Sequence, residues 1–211
     1  KKLSEFSIDC LKMVPSHWKT LQQGNTSFVP NKCLLLGGEQ FTHDVIDLLI
    51  SQKVDCDVYN HYGPTETTIG KLIKKVSLEE EKGHSVPLGV PFGNTDIYVL
   101  DSNENICPVG VAGELCIGGE GLAIGYLNQE ELTKEKFIEN PFKKRERIYK
   151  TGDLARWLES GEIEFIGRKD NQIKIRGYRI ELGEIENALS LVPGVIHSCV
   201  LAKEVDNGNK R

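Results

Sequence analysis

Asn60-His61-Tyr62-Gly63-Pro64-Thr65-Glu66-Thr67-Thr68 ends the run of elements that decides the fold of this chain. Upstream of it, residues 33–36 (Cys-Leu-Leu-Leu) are a short apolar run ending in Gly37-Gly38. That run reads as a buried strand stopping where something must approach the backbone closely. Residues 41–51 carry Val45, Ile46, Leu48 and Leu49 behind Thr42, an expected N-cap, and read as a helix. Asp57-Val58-Tyr59 is a second strand feeding the Asn60 loop. Strand, helix, strand is a parallel crossover unit, and such sheets bind ligands at the carboxyl ends of their strands. Both glycine-containing segments fall at such ends.

Beyond Ile69 the pattern changes. Residues 96–100 and 114–117 are short strands separated by the turn residues 101–105 (Asp-Ser-Asn-Glu-Asn) and Pro108. Residues 155–157 and 163–166 flank a turn at 159–161, which argues for antiparallel sheet closing into a small distorted barrel. Then Gln172, Lys174 and Arg176 alternate with Ile173 and Ile175 as a half-buried strand, and Gly177-Tyr178 makes a hairpin turn. Leu182, Ile185, Leu189 and Val192 mark one face of a helix stopped by Pro193-Gly194, and residues 195–202 are a further strand. Glu79-Glu80-Glu81-Lys82 reads as a solvated turn. Glu181, Glu184 and Glu186 are better read as a helix start, where acids complement the dipole, than as a carboxylate cluster.

Read alone, Tyr-Gly-Pro-Thr-Glu is more simply a tight turn with a capping threonine. It does not stand alone. Tyr149-Lys150-Thr151-Gly152-Asp153-Leu154 follows, then Gly167-Arg168-Lys169-Asp170, then Gln172-Ile173-Lys174-Ile175-Arg176-Gly177-Tyr178-Arg179-Ile180-Glu181-Leu182-Gly183-Glu184-Ile185-Glu186. In this order and spacing the segments resemble the amino-acid-activating (adenylation) domains of nonribosomal peptide synthetases, in the adenylate-forming superfamily with acyl-CoA synthetases and luciferase. The resemblance runs from about residue 34 to the end. It implies an α/β portion at residues 1–70 and a β-rich portion at 71–169, both in the large N-terminal subdomain. The hinge and the start of a small α+β subdomain follow at 170–211. The segment Gly113-Glu114-Leu115-Cys116-Ile117-Gly118-Gly119-Glu120-Gly121-Leu122-Ala123-Ile124-Gly125-Tyr126 also matches, with Ile124 where arginine is common. Its expected role is close backbone packing.

Forming an acyl adenylate requires a carboxylate to attack the α-phosphate of ATP while pyrophosphate leaves. The site must therefore hold Mg²⁺, donate to developing charge and grip adenine and ribose. Tyr62 offers an aromatic face for adenine, and Asn60 an amide for a base edge. Gly37 and Gly38 let backbone approach the other face of the base. Thr65 offers a hydroxyl for a phosphate oxygen, and Glu66 a hard oxygen for Mg²⁺. The resemblance assigns these same roles. It also gives Asp153 the ribose hydroxyls and Arg168 the ribose and phosphate, and it makes Asp170 the hinge. Lys174 and the Gly177 loop belong to the face presented in the second half-reaction, where the phosphopantetheine arm of a peptidyl carrier protein approaches. Without the resemblance, Asp153 is an ordinary turn aspartate and Asp170 a solvated loop residue.

By the same resemblance Lys12, Leu35, Gly37, His61, Ile69 and Gly70 line the amino-acid pocket. A lysine and a histidine facing one pocket suit an anionic side chain, and the combination resembles aspartate-activating domains, with asparagine next. If Lys12 points to solvent instead, the pocket is simply small and apolar. The family's serine/threonine/glycine-rich phosphate loop and its C-terminal catalytic lysine match nothing in the chain. The chain is therefore expected to be an internal piece of a larger enzyme, inactive alone, with neighbouring synthetase domains as partners. Two competing expectations are an acyl-CoA or aryl-acid ligase of the same superfamily and a non-catalytic structural or docking unit.

Composition narrows the field further. A net charge of −5 over 211 residues leaves no basic footprint for nucleic acid. No apolar run approaches the roughly 18 residues needed to span a bilayer. The six cysteines show no Cys-x-x-Cys pair, and no histidine lies at zinc-ligand spacing. With no export signal at residues 1–5, reduced thiols and a cytoplasmic location are expected.

Overall fold

The computed structural model of the chain describes residues 7–22, 28–78, 85–170, 172–175, 177–205 and 209–210. The Glu79–Lys82 charge run lies outside the described residues. The chain opens with β1 (Cys10–Met13), α1 (Pro15–Gln22), β2 (Cys33–Gly37), α2 (His43–Ser51) and β3 (Asp57–Tyr62). The three strands are parallel neighbours in that order. Leu34 and Leu36 of β2 are fully buried and share a core with Trp18, Val45, Leu49 and Val58. Each such side chain contributes about 1.5–3 kcal/mol by leaving water, so the crossover helix is fixed to the sheet by its apolar stripe. Helix α2 starts two residues later than expected, because Phe41 turns into that core. Thr42 occupies the cap position, but its hydroxyl donates to the Asp44 carboxylate and caps no backbone N–H.

The α/β sheet does not stop at Gly70. Strands β4 (Leu72–Lys75) and β5 (Val90–Pro91) extend it antiparallel, in the order β1-β2-β3-β4-β5. Pairing of His61 with Ile73 and Tyr62 with Leu72 keeps β3 extended through Tyr62. The expected Asn60 loop is thereby strand, because its backbone groups find ladder partners on both sides.

A second sheet comprises β6 (Thr95–Leu100), β7 (Gly113–Gly119), β8 (Phe137–Glu139, preceded by α3, Glu130–Lys136), β9 (Arg147–Trp157) and β10 (Ile163–Arg168). It is antiparallel throughout, in the order β10-β9-β7-β6 with β8 on β9. The expected barrel is not formed: among the described residues no pairing joins β10 to β6. Leu72, Leu88, Val99, Leu115 and Ile163 form the core beneath it. A Cβ on Gly113 would lie 2.6 Å from the Leu100 carbonyl oxygen, so the strands meet at backbone distance there.

Beyond Asp170, β11 (Ile173–Ile175) and β12 (Tyr178–Ile180) make the expected hairpin, followed by α4 (Leu182–Ser190) and the short pair β13 (Glu204–Val205) and β14 (Asn209–Lys210). The strand expected at 195–202 is absent. Among the described residues that segment has no ladder neighbour, and it is tied to α4 instead, through Ser198 Oγ to Glu186 O and Val200 N to Glu186 Oε1. All six cysteines are free thiols. Among the described residues no helix is long and apolar enough to cross a membrane.

Candidate active site

The carboxyl ends of β2 and β3 form the floor of the site. A Cβ on Gly37 would lie 2.1 Å from the His61 carbonyl oxygen, and Gly38 has a φ of +84°. Only glycine lets the chain leave β2 in this way. One strand further, Tyr62 donates its phenolic O–H to Asp153, which β9 brings up across 91 residues. Burial and then the Asp153 charge push the Tyr62 phenol well above its ordinary value. Arg168 sits opposite Asp153 in the β9–β10 ladder. Its Nη1 donates to Asp153 Oδ1 at 2.7 Å and to the Thr151 carbonyl at 3.1 Å, and its Nε donates to Asp170 Oδ1 at 2.7 Å. Asp170 is exposed and is held by the arginine. Gly152 (φ +74°) makes room for this cluster, since a Cβ there would lie 2.7 Å from Arg168 Nη2.

Asn60 stands differently from expectation. Its side chain is buried, and its amide nitrogen donates to the Val86 and Pro87 carbonyls at 3.2 and 2.7 Å. Its donors are spent on holding that segment, which leaves the carbonyl oxygen as the group suited to a base edge.

The 3-10 turn Thr65–Thr67 carries the residues expected on the phosphate side. Thr65 is exposed, whereas Glu66 is 7% exposed. Glu66 Oε1 accepts the Tyr126 hydroxyl at 2.8 Å and Arg179 Nη1 at 2.7 Å. Its Oε2 is buried and has no hydrogen-bond partner among the described residues. Burial pushes this carboxyl up, but Tyr126, the backbone and Arg179 outweigh it and leave it below the ordinary value. Glu66 is therefore an anion at neutral pH with one bare oxygen. Such an oxygen fits a hard cation. Among the described residues no group of three His, Cys, Asp or Glu side chains could ligate a metal alone. A cation here would take its remaining ligands from phosphate and water.

The turn holds itself under strain. Thr68 and Ile69, both β-branched, have φ of +66° and +67°, a conformation costing of order 1–3 kcal/mol per residue. The Thr68 hydroxyl bond to Gly121 O at 2.8 Å and the Ile69 N bond to Pro64 O at 3.2 Å hold it there.

Four of the residues expected to line the amino-acid pocket lie on one sheet face. Lys12 pairs with Leu35, and Gly37 with His61. Side chains alternate along strands, so these four positions share a face. A Cβ on Gly70 would lie 2.4 Å from His61 Nε2, which places Gly70 against the imidazole. Ile69 beside it is exposed. Burial first and the Lys12 charge second hold His61 below its ordinary value. Lys12 is exposed, and it still acts on the imidazole.

Residues 1–127 match the family described as AMP-binding enzyme. The chain belongs to that family. Among relatives of this AMP-binding enzyme chain, bacitracin synthase 1 of Bacillus licheniformis is 43% identical over 98% of the chain, which spans 4% of that protein. Tyrocidine synthase 3 of Brevibacillus parabrevis is 43% identical over 92% of the chain and is spanned to 3% of its length. The chain is thus a small fraction of the length of the curated relatives it matches. A solved nonribosomal peptide synthetase protein with adenylation and PCP domains, bound to a vinylsulfonamide inhibitor, superposes with a TM-score of 0.86 at 32% identity, over 99% of this chain and 36% of that one. A four-domain nonribosomal peptide synthetase bound to AMP and glycine gives 0.68 at 37% identity, over 99% of this chain and 16% of that one. The fold is accordingly the adenylate-forming one.

Three residues of this AMP-binding enzyme chain escape a reading by sequence. Tyr126 grips Glu66 across 60 residues, and its hydroxyl also lies 3.3 Å from that of Tyr149. Arg179 reaches Glu66 across 113 residues. Glu39 accepts Ser16 N and Ser16 Oγ, both at 2.9 Å, and Gly177 N at 2.7 Å. The Tyr126 segment is visible in sequence, but only as a glycine-rich packing motif. Tyr126→Phe is expected to weaken metal-dependent nucleotide binding about tenfold, since one hydrogen bond to a charged group is worth about 1.5 kcal/mol at the low end. Calorimetric titration with and without metal checks this; equal loss in both would point to general damage.

Proposed function

We propose that this chain contributes to amino-acid activation: a substrate carboxylate attacks the α-phosphorus of ATP, the bond to the β-phosphate oxygen breaks, and pyrophosphate leaves with an aminoacyl adenylate formed. The observation carrying this reading is the bare, buried Oε2 of ionised Glu66, in a chain that also links Tyr62 to Asp153 and Arg168. Tyr62 stacks on adenine between its ring and the Gly37-Gly38 backbone. Asp153 accepts from the ribose hydroxyls, for which each carboxylate oxygen keeps a lone pair. Arg168 contacts ribose and phosphate, and Thr65 donates to a phosphate oxygen. Mg²⁺, when bound at Glu66, neutralises phosphate charge and polarises the reacting phosphoryl group. The relative bound to AMP and glycine supports an amino acid and a nucleotide as the ligands.

In this reading residues 170–211 belong to a small subdomain that turns about Asp170 and presents Lys174 and the Gly177 loop to the phosphopantetheine thiol of a carrier protein. The relative with adenylation and PCP domains supports that partner. Partial burial pushes the Lys174 ammonium down, Asp153 opposes, and Arg168 and Arg179 add to the shift.

The preferred amino acid is aspartate, with asparagine next, because Lys12 and His61 share a sheet face and the Lys12 charge reaches the imidazole. A unit-charge pair about 4 Å apart is worth roughly 4 kcal/mol at an effective dielectric near 20, before desolvation. Amino-acid-dependent exchange of pyrophosphate into ATP by the full-length protein tests both levels. Exchange with aspartate above all others is expected. Exchange with an uncharged amino acid alone would sink the pocket reading, and no exchange with any would sink amino-acid activation.

A pH dependence accompanies this pocket. His61 is held below its ordinary value and is neutral at pH 7 before substrate binds. An anionic side chain beside it favours the protonated form, so binding takes up a proton. Aspartate affinity is expected to fall as pH rises from the free-state pKa through the higher bound-state pKa, and to level off above it. Titration calorimetry at several pH values in wild type and His61→Gln checks this; an identical slope in both removes His61 from the pocket.

A further inference from the structure

Two carboxylates of the large portion of the chain dock the β11–β12 hairpin. Gly177 N donates to Glu39 Oε1 at 2.7 Å on one side of the turn, and Arg179 Nη1 donates to Glu66 Oε1 at 2.7 Å on the other. The second contact uses the carboxylate read above as the metal ligand. A guanidinium is a permanent cation with donors only. It satisfies an anion as a metal ion does, and held on Oε1 it repels a divalent ion placed on Oε2 of the same carboxylate. With the Tyr126 hydroxyl also on Oε1, that atom is fully used and only Oε2 stays bare.

We propose that Arg179 is a stand-in cation for Glu66: it occupies the carboxylate when no divalent ion is bound, and it competes with the ion for that group. The hairpin and the metal are then alternative partners of Glu66. Metal binding frees the Arg179 end of the hairpin, and loss of the metal with pyrophosphate lets it dock. This rests on the reading of Glu66 as the metal ligand. The same coupling must act in both directions. Removing Arg179 therefore makes the metal bind better, whereas a merely structural arginine would not move metal affinity upward.

The test uses the full-length protein and the α,β-methylene analogue of ATP, which carries a metal but lacks the cleavable bond. The affinity of the Mn²⁺–analogue complex is divided by that of the metal-free analogue in wild type, Arg179→Ala, Arg179→Lys and Glu66→Gln. Hydrogen exchange at residues 177–180 is followed in parallel. Arg179→Ala is expected to raise the ratio about tenfold, within the usual range for coupled sites. Arg179→Lys, which keeps the cation, should stay near wild type. The manganese complex should speed exchange within residues 178–180 in wild type and have no such effect in Arg179→Ala, which exchanges fast there from the start. An unchanged or lower ratio in Arg179→Ala, with Glu66→Gln collapsing the ratio to about one, overturns the Arg179 assignment and leaves the metal reading standing. A ratio in Glu66→Gln equal to wild type overturns the metal reading itself, and this proposal with it.

Discussion

Asp153→Ala is expected to weaken ATP binding by the full-length protein about a hundredfold and to destabilise the domain. Asp153 and Arg168 have only 10% and 17% of their side chains exposed. Removing one partner of a buried pair costs about 3–5 kcal/mol. We expect the low end of that range, about 3 kcal/mol, because Arg168 keeps Asp170 as a second acceptor. Tyr62 loses its acceptor in the same variant, so the two proposed nucleotide contacts loosen together. Asp153→Asn keeps the shape and one acceptor oxygen and should fall between the two. Titration with ATP and a thermal melt of the same samples separate the effects. A variant that melts early and still binds ATP like wild type would remove Asp153 from the nucleotide site.

Gly63→Ala is expected to be the most damaging single-methyl change near the site. The added Cβ would lie 2.0 Å from the Ile69 carbonyl oxygen, 2.6 Å from its carbon and 2.9 Å from Lys71 N. All three are backbone atoms at the neck of the turn, where Lys71 N donates to Tyr62 O at 2.8 Å. No side chain can swing away, so the strand ends must part. Overpacking of this kind costs about 1–3 kcal/mol, which for a chain of this size lowers the melting temperature by about 2–4 °C per kcal/mol. The turn also sets the position of Glu66, so the metal dependence of nucleotide binding should fall with stability. An unchanged melt with unchanged metal dependence would mean that the turn opens without cost.

Much of the site is legible in sequence because its chemistry is written in local residue types. Gly37-Gly38 marks a strand end, Tyr62 to Glu66 places an aromatic, a hydroxyl and a carboxylate along one turn, and Asp153 and Arg168 follow in recognisable company. Other elements are hidden for physical reasons. Strand β1 is four residues long and half-exposed, and it is a strand only because β2 supplies its ladder. Helix α1 does carry a local signal: Pro15 at its first position, with Trp18 and Gln22 buried beyond it. Residues 195–202 show the reverse case, since apolar content suggests a strand and no neighbour among the described residues pairs with it.

By itself the sequence determined the parallel crossover and the antiparallel second sheet, which follow from short-range periodicity and glycine placement, and the family, which follows from the resemblance of its ordered motif segments. Only the tertiary structure decided which polar groups share a carboxylate. Tyr126 and Arg179 converge on Glu66 from 60 and 113 residues away, and the Asn60 amide is spent on two carbonyls beyond the next strand. Partner choice of this kind depends on distance in space and on the cost of leaving a buried polar group unpaired, and neither quantity is local in sequence.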